Sequence, residues 1–376
     1  MDKKFFMGIA AMAALTLVSC SSDDLDSFSD NSSKNEAISF DGYLGRSAVA
    51  VNGTRGSVET VTTLKANGFG VFGTYTPTGG GGQTSNLFDN QKVTYSTTES
   101  KWTYSPLKFW PANGKIDFLA YAPYDKSITL TDGSKIKNFT VSEKIAEQKD
   151  LLWTNATSSI SADLTSAKEK VKFQFHHALS RLGYTVKLTG DYSSDNVIFT
   201  LKKITLAGSP TDADEGAFYT SGTIDLAQPT GNANLWSGQT GKQKFDWFSG
   251  DYQVKSSTAS HPDEANKDKD YLFVIPQNFS ENIGTTDAPV ANPDKLYVIV
   301  EYEVTYKSGT QTSITNKVYK QLTTNFLQGK AYNLNLTIGL PIEFDVDVTG
   351  DINAGVDGWG TDENINIGSN DNPWER

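Results

Sequence analysis

The sequence predicts an all-β protein, and three observations carry that reading. Thr, Ser, Gly, Asn, Tyr and Phe are abundant, whereas long runs of helix formers are scarce. Several stretches alternate strictly between apolar and polar residues, as a half-buried strand does. Gly- and Asn-rich clusters punctuate those stretches as turns.

The chain opens with Lys3 and Lys4, then an apolar run from Phe5 to Val18 broken only by Gly8 and Thr16. That run is too short to span a membrane as a mature helix and reads as a secretory signal peptide over residues 1–19. Leu17-Val18-Ser19-Cys20 closes it and resembles the bacterial lipobox, in which the cysteine becomes the acylated first residue. Cys20 is the only cysteine of 376 residues. Acyl chains hold a protein at about 0.8 kcal/mol per buried methylene, and two chains anchor it stably. Ser21-Ser22-Asp23-Asp24-Leu25-Asp26 resembles the acidic signal that sends some lipoproteins to the outer face of the outer membrane. Residues 20–36 hold few apolar groups and read as a flexible tether.

Beyond the tether the remaining length suggests two domains at ~150 residues each. An N-terminal domain is expected over residues 37–167 and a C-terminal one over 168–350, with an extension at 351–376. Ala37-Ile38-Ser39-Phe40 alternates and is interrupted by Gly42 and Gly45, a weak first strand. Arg46, Asn52-Gly53 and Arg55-Gly56 read as exposed turn chemistry. Phe69, Val71, Phe72 and Tyr75 mark a stronger strand. Thr78 to Gly82 is a loop tip, without the Lys-Ser/Thr and following helix that a phosphate loop needs. Val93, Tyr95, Trp102 and Tyr104 alternate across a hairpin. Trp102 to Pro111 and Ile116 to Pro123 form an aromatic-rich cluster, suited to a β-sandwich core and edge or to a sugar platform. Asp150 to Trp153 reads as a short buried strand, and the polar stretch Thr157 to Lys170 as the interdomain link.

The second half continues the pattern. Val171, Phe173 and Phe175 share one face, and Tyr184, Val186 and Leu188 resume it. Val197 to Leu206 is a strand, residues 208–267 read as loop-rich with short strands such as Phe245 to Phe248, and Tyr271 to Pro276 is a buried strand. Leu296 to Tyr306 and Ser313 to Leu322 form a hairpin, and Phe326 to Lys330 is a turn. Tyr332, Leu334, Leu336 and Ile338 alternate, as do Ile342, Phe344, Val346 and Val348. Ile365 and Ile367 form a weaker pair near the end.

Composition and spacing also narrow the chemistry. A net charge of −11 argues against nucleic acid or an anionic membrane surface as partners. No Gly-x-Ser-x-Gly, zinc motif or Rossmann loop occurs, so no enzyme, cofactor or metal site is predicted. His176 and His177 are adjacent on a strand and face opposite ways, which prevents joint chelation. Asp345, Asp347 and Asp351 miss the EF-hand pattern, with Thr349 at its fifth position and Val356 at its twelfth.

Taken together, the lipobox at Cys20, Trp102 to Pro111, Phe118 to Pro123, Phe175-His176-His177-Ala178-Leu179 and Phe326 to Tyr332 resemble the fimbrillins, subunits of type V pili, including the minor-fimbrillin-like group. The resemblance implies two transthyretin-like β-sandwich domains, lipoprotein export to the outer membrane, and arginine-directed proteolysis of a first strand. It also implies polymerisation by strand donation between pilus subunits, and adhesion to host or bacterial surface ligands. On that basis Arg46 is the expected cleavage site, with Arg55 as the alternative. Ile342, Phe344, Val346 and Val348 are the expected donor strand, unless they belong permanently to their own domain. The alternative is a surface glycan-binding lipoprotein of a polysaccharide uptake system, which would present Trp and Tyr faces together in solvent.

Cys20→Ala is expected to release the protein or stall its processing. Phase partitioning of cell lysates checks this, and unchanged detergent-phase protein from the variant would remove the anchor.

Overall fold

The computed structural model describes residues 37–44, 58–78, 83–111, 113–160, 170–192, 195–211, 214–229, 235–307, 312–340 and 342–350. The all-β expectation is met: the described residues form strands with one short α-helix. In the first half these are β1 (Phe40–Leu44), α1 (Val61–Asn67), β2 (Phe69–Thr76), β3 (Ser85–Ser96), β4 (Lys101–Thr103), β5 (Gly114–Ala122), β6 (Lys135–Thr140), β7 (Leu152–Ile160) and β8 (Val171–His177). The middle holds β9 (Ser180–Leu188), β10 (Val197–Ala207), β11 (Phe218–Asp225), β12 (Trp236–Gln243), β13 (Phe245–Val254), β14 (Leu272–Val274) and β15 (Gln277–Asn278). The chain ends with β16 (Asn282–Thr285), β17 (Ala288–Ala291), β18 (Leu296–Tyr306), β19 (Thr312–Leu322), β20 (Asn325–Phe326), β21 (Ala331–Gly339) and β22 (Glu343–Gly350).

One sheet has seven strands in the order β1-β8-β7-β5-β2-β3-β4. Its two end strands, β1 and β4, lie against each other, so the sheet curls around a core of its own. Ile38, Phe40, Phe69, Phe88, Trp102, Trp110, Phe118 and Phe173 fill that core. Two four-stranded sheets, β13-β10-β18-β19 and β14-β9-β21-β22, enclose a second and larger core. A three-stranded sheet β12-β11-β6 packs beside them.

The run Phe118-Leu119-Ala120-Tyr121-Ala122 on β5 does not alternate in polarity because both of its faces are buried. Phe118 and Ala120 point into the first core, Leu119 and Tyr121 into the second. The half-and-half strands alternate as expected. Val171, Phe173 and Phe175 are buried on β8, with Lys172 and Gln174 exposed.

Several expectations change. Thr157 to Ile160 belong to β7 and pair with β5 from Ile116↔Ser158 to Gly114↔Ile160, so the expected link starts too early. Strand pairing also crosses residue 167: β8 lies in the first sheet, and β6 pairs with β11. Residues 208–267 hold three strands of 8, 8 and 10 residues. Bulges within the β11–β12 and β10–β13 pairings break the alternation that would have revealed them. Helix α1 was not foreseen. Thr60 and Thr63 cap each other's backbone N–H at its start, and Gly68, at a φ of 72°, ends it.

Phe118 is fully buried and packs edge-on against Phe40, Trp110 and Phe173. Phe118→Ala is expected to cost about 3–5 kcal/mol, read as a lower guanidinium midpoint at unchanged slope. A loss below about 1 kcal/mol would show that this ring does not organise the first core.

Candidate functional site: the first strand and its groove

β1 is the strand that completes the first core, and it comes from the chain's start. It pairs with β8 alone, in parallel, from Phe40↔Val171 to Leu44↔Phe175. Inward-facing are Ile38, two residues before the strand, and Phe40, Gly42 and Leu44 within it. The three side chains among them are 1%, 4% and 4% exposed, while Asp41 and Tyr43 face solvent. Phe40 stacks on Phe173 at 5.5 Å and meets Phe88, Tyr104 and Phe118 at 5.3, 5.4 and 5.8 Å. On the side away from β8, the Ile38 N–H donates to the Lys108 carbonyl at 2.8 Å. The Tyr104 hydroxyl donates to the Ile38 carbonyl at 2.7 Å, and Ala37 bridges to Phe109. The strand is therefore a lid strip: β8 holds one edge, and the 104–109 loop holds its N-terminal end.

The chain just beyond this strip is fixed by a buried polar cluster. Glu59 N–H donates to Asp150 Oδ2 at 2.8 Å, and Asp150 Oδ1 lies 2.9 Å from His177 Nδ1, at the end of β8. Thr63 Oγ1 and Asn67 Nδ2 donate to the two Glu59 carboxylate oxygens at 2.8 and 2.9 Å. Glu59 is 3% exposed. Burial is the main reason its carboxyl is pushed up from 4.5 to about 7. The negative charge of Asp150 adds to this, whereas the Thr63 and Asn67 bonds and His177 oppose it.

The sequence-predicted residues fall as follows. Cys20, Arg46, Arg55, Ile365 and Ile367 lie outside the described residues; the two arginines sit between Leu44 and Val58. Phe344, Val346 and Val348 are in β22, at the edge of its sheet, antiparallel to β21. Val346 and Val348 are fully buried, Phe344 packs partly on the second core, and Ile342 is exposed. Lys320 and Asp345 form an ion pair that ties β19 to β22. His177 is buried and His176 half-buried beside Trp153, on opposite faces of β8. Trp102 and Trp110 are 8% and 5% exposed, so their faces belong to the core and form no open platform. Sequence reasoning missed Glu59, whose only local signal was the Thr60-x-x-Thr63 box after it.

The fimbrillin-like family profile matches residues 54–359. This chain belongs to that family. The fimbrium subunit Fim1C of Phocaeicola vulgatus is 28% identical, over 96% of this chain and 97% of that one. A crystal structure of a fimbrial protein from Bacteroides vulgatus shares the fold, with a TM-score of 0.56 and 23% identity over 84% of this chain and 99% of that one.

The Glu59 cluster makes this fimbrillin-like chain sensitive to pH. Between about 4.5 and about 7, folded Glu59 keeps a proton that the unfolded chain has lost. Its contribution to stability is therefore full below that window, falls as pH rises through it, and levels off above. The change amounts to roughly 3 kcal/mol. Glu59→Gln is expected to flatten the pH dependence between those limits, measured by denaturation at several pH values. Equal slopes in parent and variant would show that Glu59 titrates normally.

Proposed function

We propose that this chain is a structural or adhesive subunit of type V pili, exported as a lipoprotein through Cys20 and assembled by strand exchange. The observation that supports this reading best is the position of β1. It is the first described strand, it lies at a sheet end, and Phe40 and Leu44 on it, with Ile38 just before it, plug an aromatic core. While β1 is in place the groove is full, and no second chain can enter it.

Arg46 stands two residues after β1, and Arg55 three before buried Val58. A cut at either separates β1 from the body of the subunit, and with it the lipid on Cys20. An emptied groove exposes the β8 edge and the rings of Phe88, Phe118 and Phe173, a template for an extended strand. The C-terminal segment with Ile342, Phe344, Val346 and Val348 carries the alternating pattern such a strand needs. Other pilus subunits are the partners in this reading, and the assembled place is the fimbrium at the outer membrane.

Arg46→Ala together with Arg55→Ala is expected to leave full-length, lipid-bound, unpolymerised subunit. Immunoblots and electron microscopy of the cells check this, and normal pili from the double variant would remove proteolytic activation at these sites.

A further inference from the structure

The loop after β4 carries two large apolar side chains in solvent. Leu107 is 57% exposed and Phe109 48%, with Lys108 between them. The loop itself is held in place. The Lys108 N–H donates to the Tyr104 hydroxyl at 3.2 Å, and the Gln91 side chain donates to the Ser105 carbonyl at 3.2 Å. Trp110, the next residue, is buried against Phe118. A segment pinned on both sides thus presents Leu107 and Phe109 outward. Single exposed apolar residues are ordinary on a surface. Two further observations set this pair apart.

The first is charge. From Lys101 to Ile116 the chain has three lysines and no carboxylate, on a molecule of net charge −11. Lys101 and Lys115 pair with Glu99 and Asp117, at 2.8 Å each. Lys108 sits between the two apolar groups. Large apolar side chains beside a lysine suit the interface of a bilayer, with the apolar groups at the acyl boundary and the ammonium among the headgroups.

The second is where the folded body meets the lipid-bearing end of the chain. Ala37, the first described residue, bridges to Phe109, and the Ile38 N–H donates to the Lys108 carbonyl at 2.8 Å. Residues 20–36 join this point to Cys20, and seventeen residues span at most ~60 Å. A lipid on Cys20 is therefore attached to the body at this loop, and an encounter between the loop and the bilayer becomes intramolecular.

Resting on the Cys20 anchor proposed above, we propose that Leu107, Lys108 and Phe109 form a membrane-docking face, and that its occupant is the phospholipid surface that holds the acyl chains. The anchor brings the loop to the surface, Leu107 and Phe109 enter the acyl boundary, and Lys108 meets lipid phosphate. The lipoprotein is then held at two points, which sets its orientation on the membrane. Two side chains do not hold a protein by themselves, since even one myristoyl chain binds only marginally. The contact is therefore lost with the anchor.

Cys20 is the only cysteine, so once it is acylated a cysteine placed at exposed Ser105 is the single free thiol. The full lipoprotein carrying Ser105→Cys, labelled there with the fluorophore NBD, is reconstituted into vesicles of phosphatidylethanolamine and phosphatidylglycerol. Spin-labelled phosphatidylcholine in the vesicles is expected to quench the label. Leu107→Ser with Phe109→Ser in the same chain is expected to abolish the quenching while the protein still floats with the vesicles. Protein that does not float overturns the Cys20 anchor and this face with it. Protein that floats with an unquenched label overturns the face and leaves the anchor standing. Quenching that persists in the double variant overturns the role of the two side chains. A label unquenched on vesicles but blue-shifted in sheared pili assigns the loop to a contact between subunits instead.

Discussion

The structure depends on Phe40 lying among Phe88, Tyr104, Phe118 and Phe173. Those rings come from β3, β5, β8 and the loop after β4, and none of them closes the core without the fifth. The closing group is supplied by a short strand that also buries Leu44, while Asp41 and Tyr43 face water and Gly42 carries no side chain. Burying three apolar side chains and ordering the strand that carries them are opposing terms of the same order. Covalent attachment to the rest of the chain keeps such a strand docked, because it avoids the loss of free translation that a separate peptide suffers.

The two cores share strands. β5 and β7 present one face to each core, and Leu119, Tyr121 and Trp153 are held by the larger cluster whatever happens on the other side. The Glu59–Asp150–His177 cluster pins the chain immediately after the arginine-bearing segment to the ends of β7 and β8. β5 and β7 are thus anchored in both cores, whereas β3 and β4 contribute their buried residues to the first core alone.

Much of this was legible in the sequence where one face of a strand is wet. The alternation at Val171 to Phe175, Tyr332 to Ile338 and Phe344 to Val348 fixes which side chains are inward, and Ile38 and Phe40 follow the same rule. Legibility fails where the period breaks. β12 reads Trp-Ser-Gly-Gln-Thr-Gly-Lys-Gln, largely exposed and bulged against β11, so neither apolar spacing nor β-branched content marks it. The end of β7, Thr-Ser-Ser-Ile, has the composition of a linker and is a strand because β5 offers it a full ladder. Gly42 looked like an interruption of a weak strand, and the closeness of Phe69, which a Cβ there would meet at 2.9 Å, is something no local pattern reports. Glu59 resembled another surface carboxylate, since burial of a charge is decided by Asp150 and His177, 91 and 118 residues further along.

The two cores close their seams by different chemistry, and that difference assigns them different roles. At the second seam, β19 and β22 meet through Lys320 and Asp345, a pair with one partner half in water. Ions at an edge discourage a foreign strand from adding there, because burying them costs more than the ladder returns. At the first seam the contact is aromatic, and among the described residues the polar ties reach β1's leading end through its backbone: the Ile38 N–H to the Lys108 carbonyl, the Tyr104 hydroxyl to the Ile38 carbonyl, and the Ala37–Phe109 bridge. Backbone ties do not depend on the identity of the strand, so the fit of β1 at this seam rests on the order of large and absent side chains along the groove.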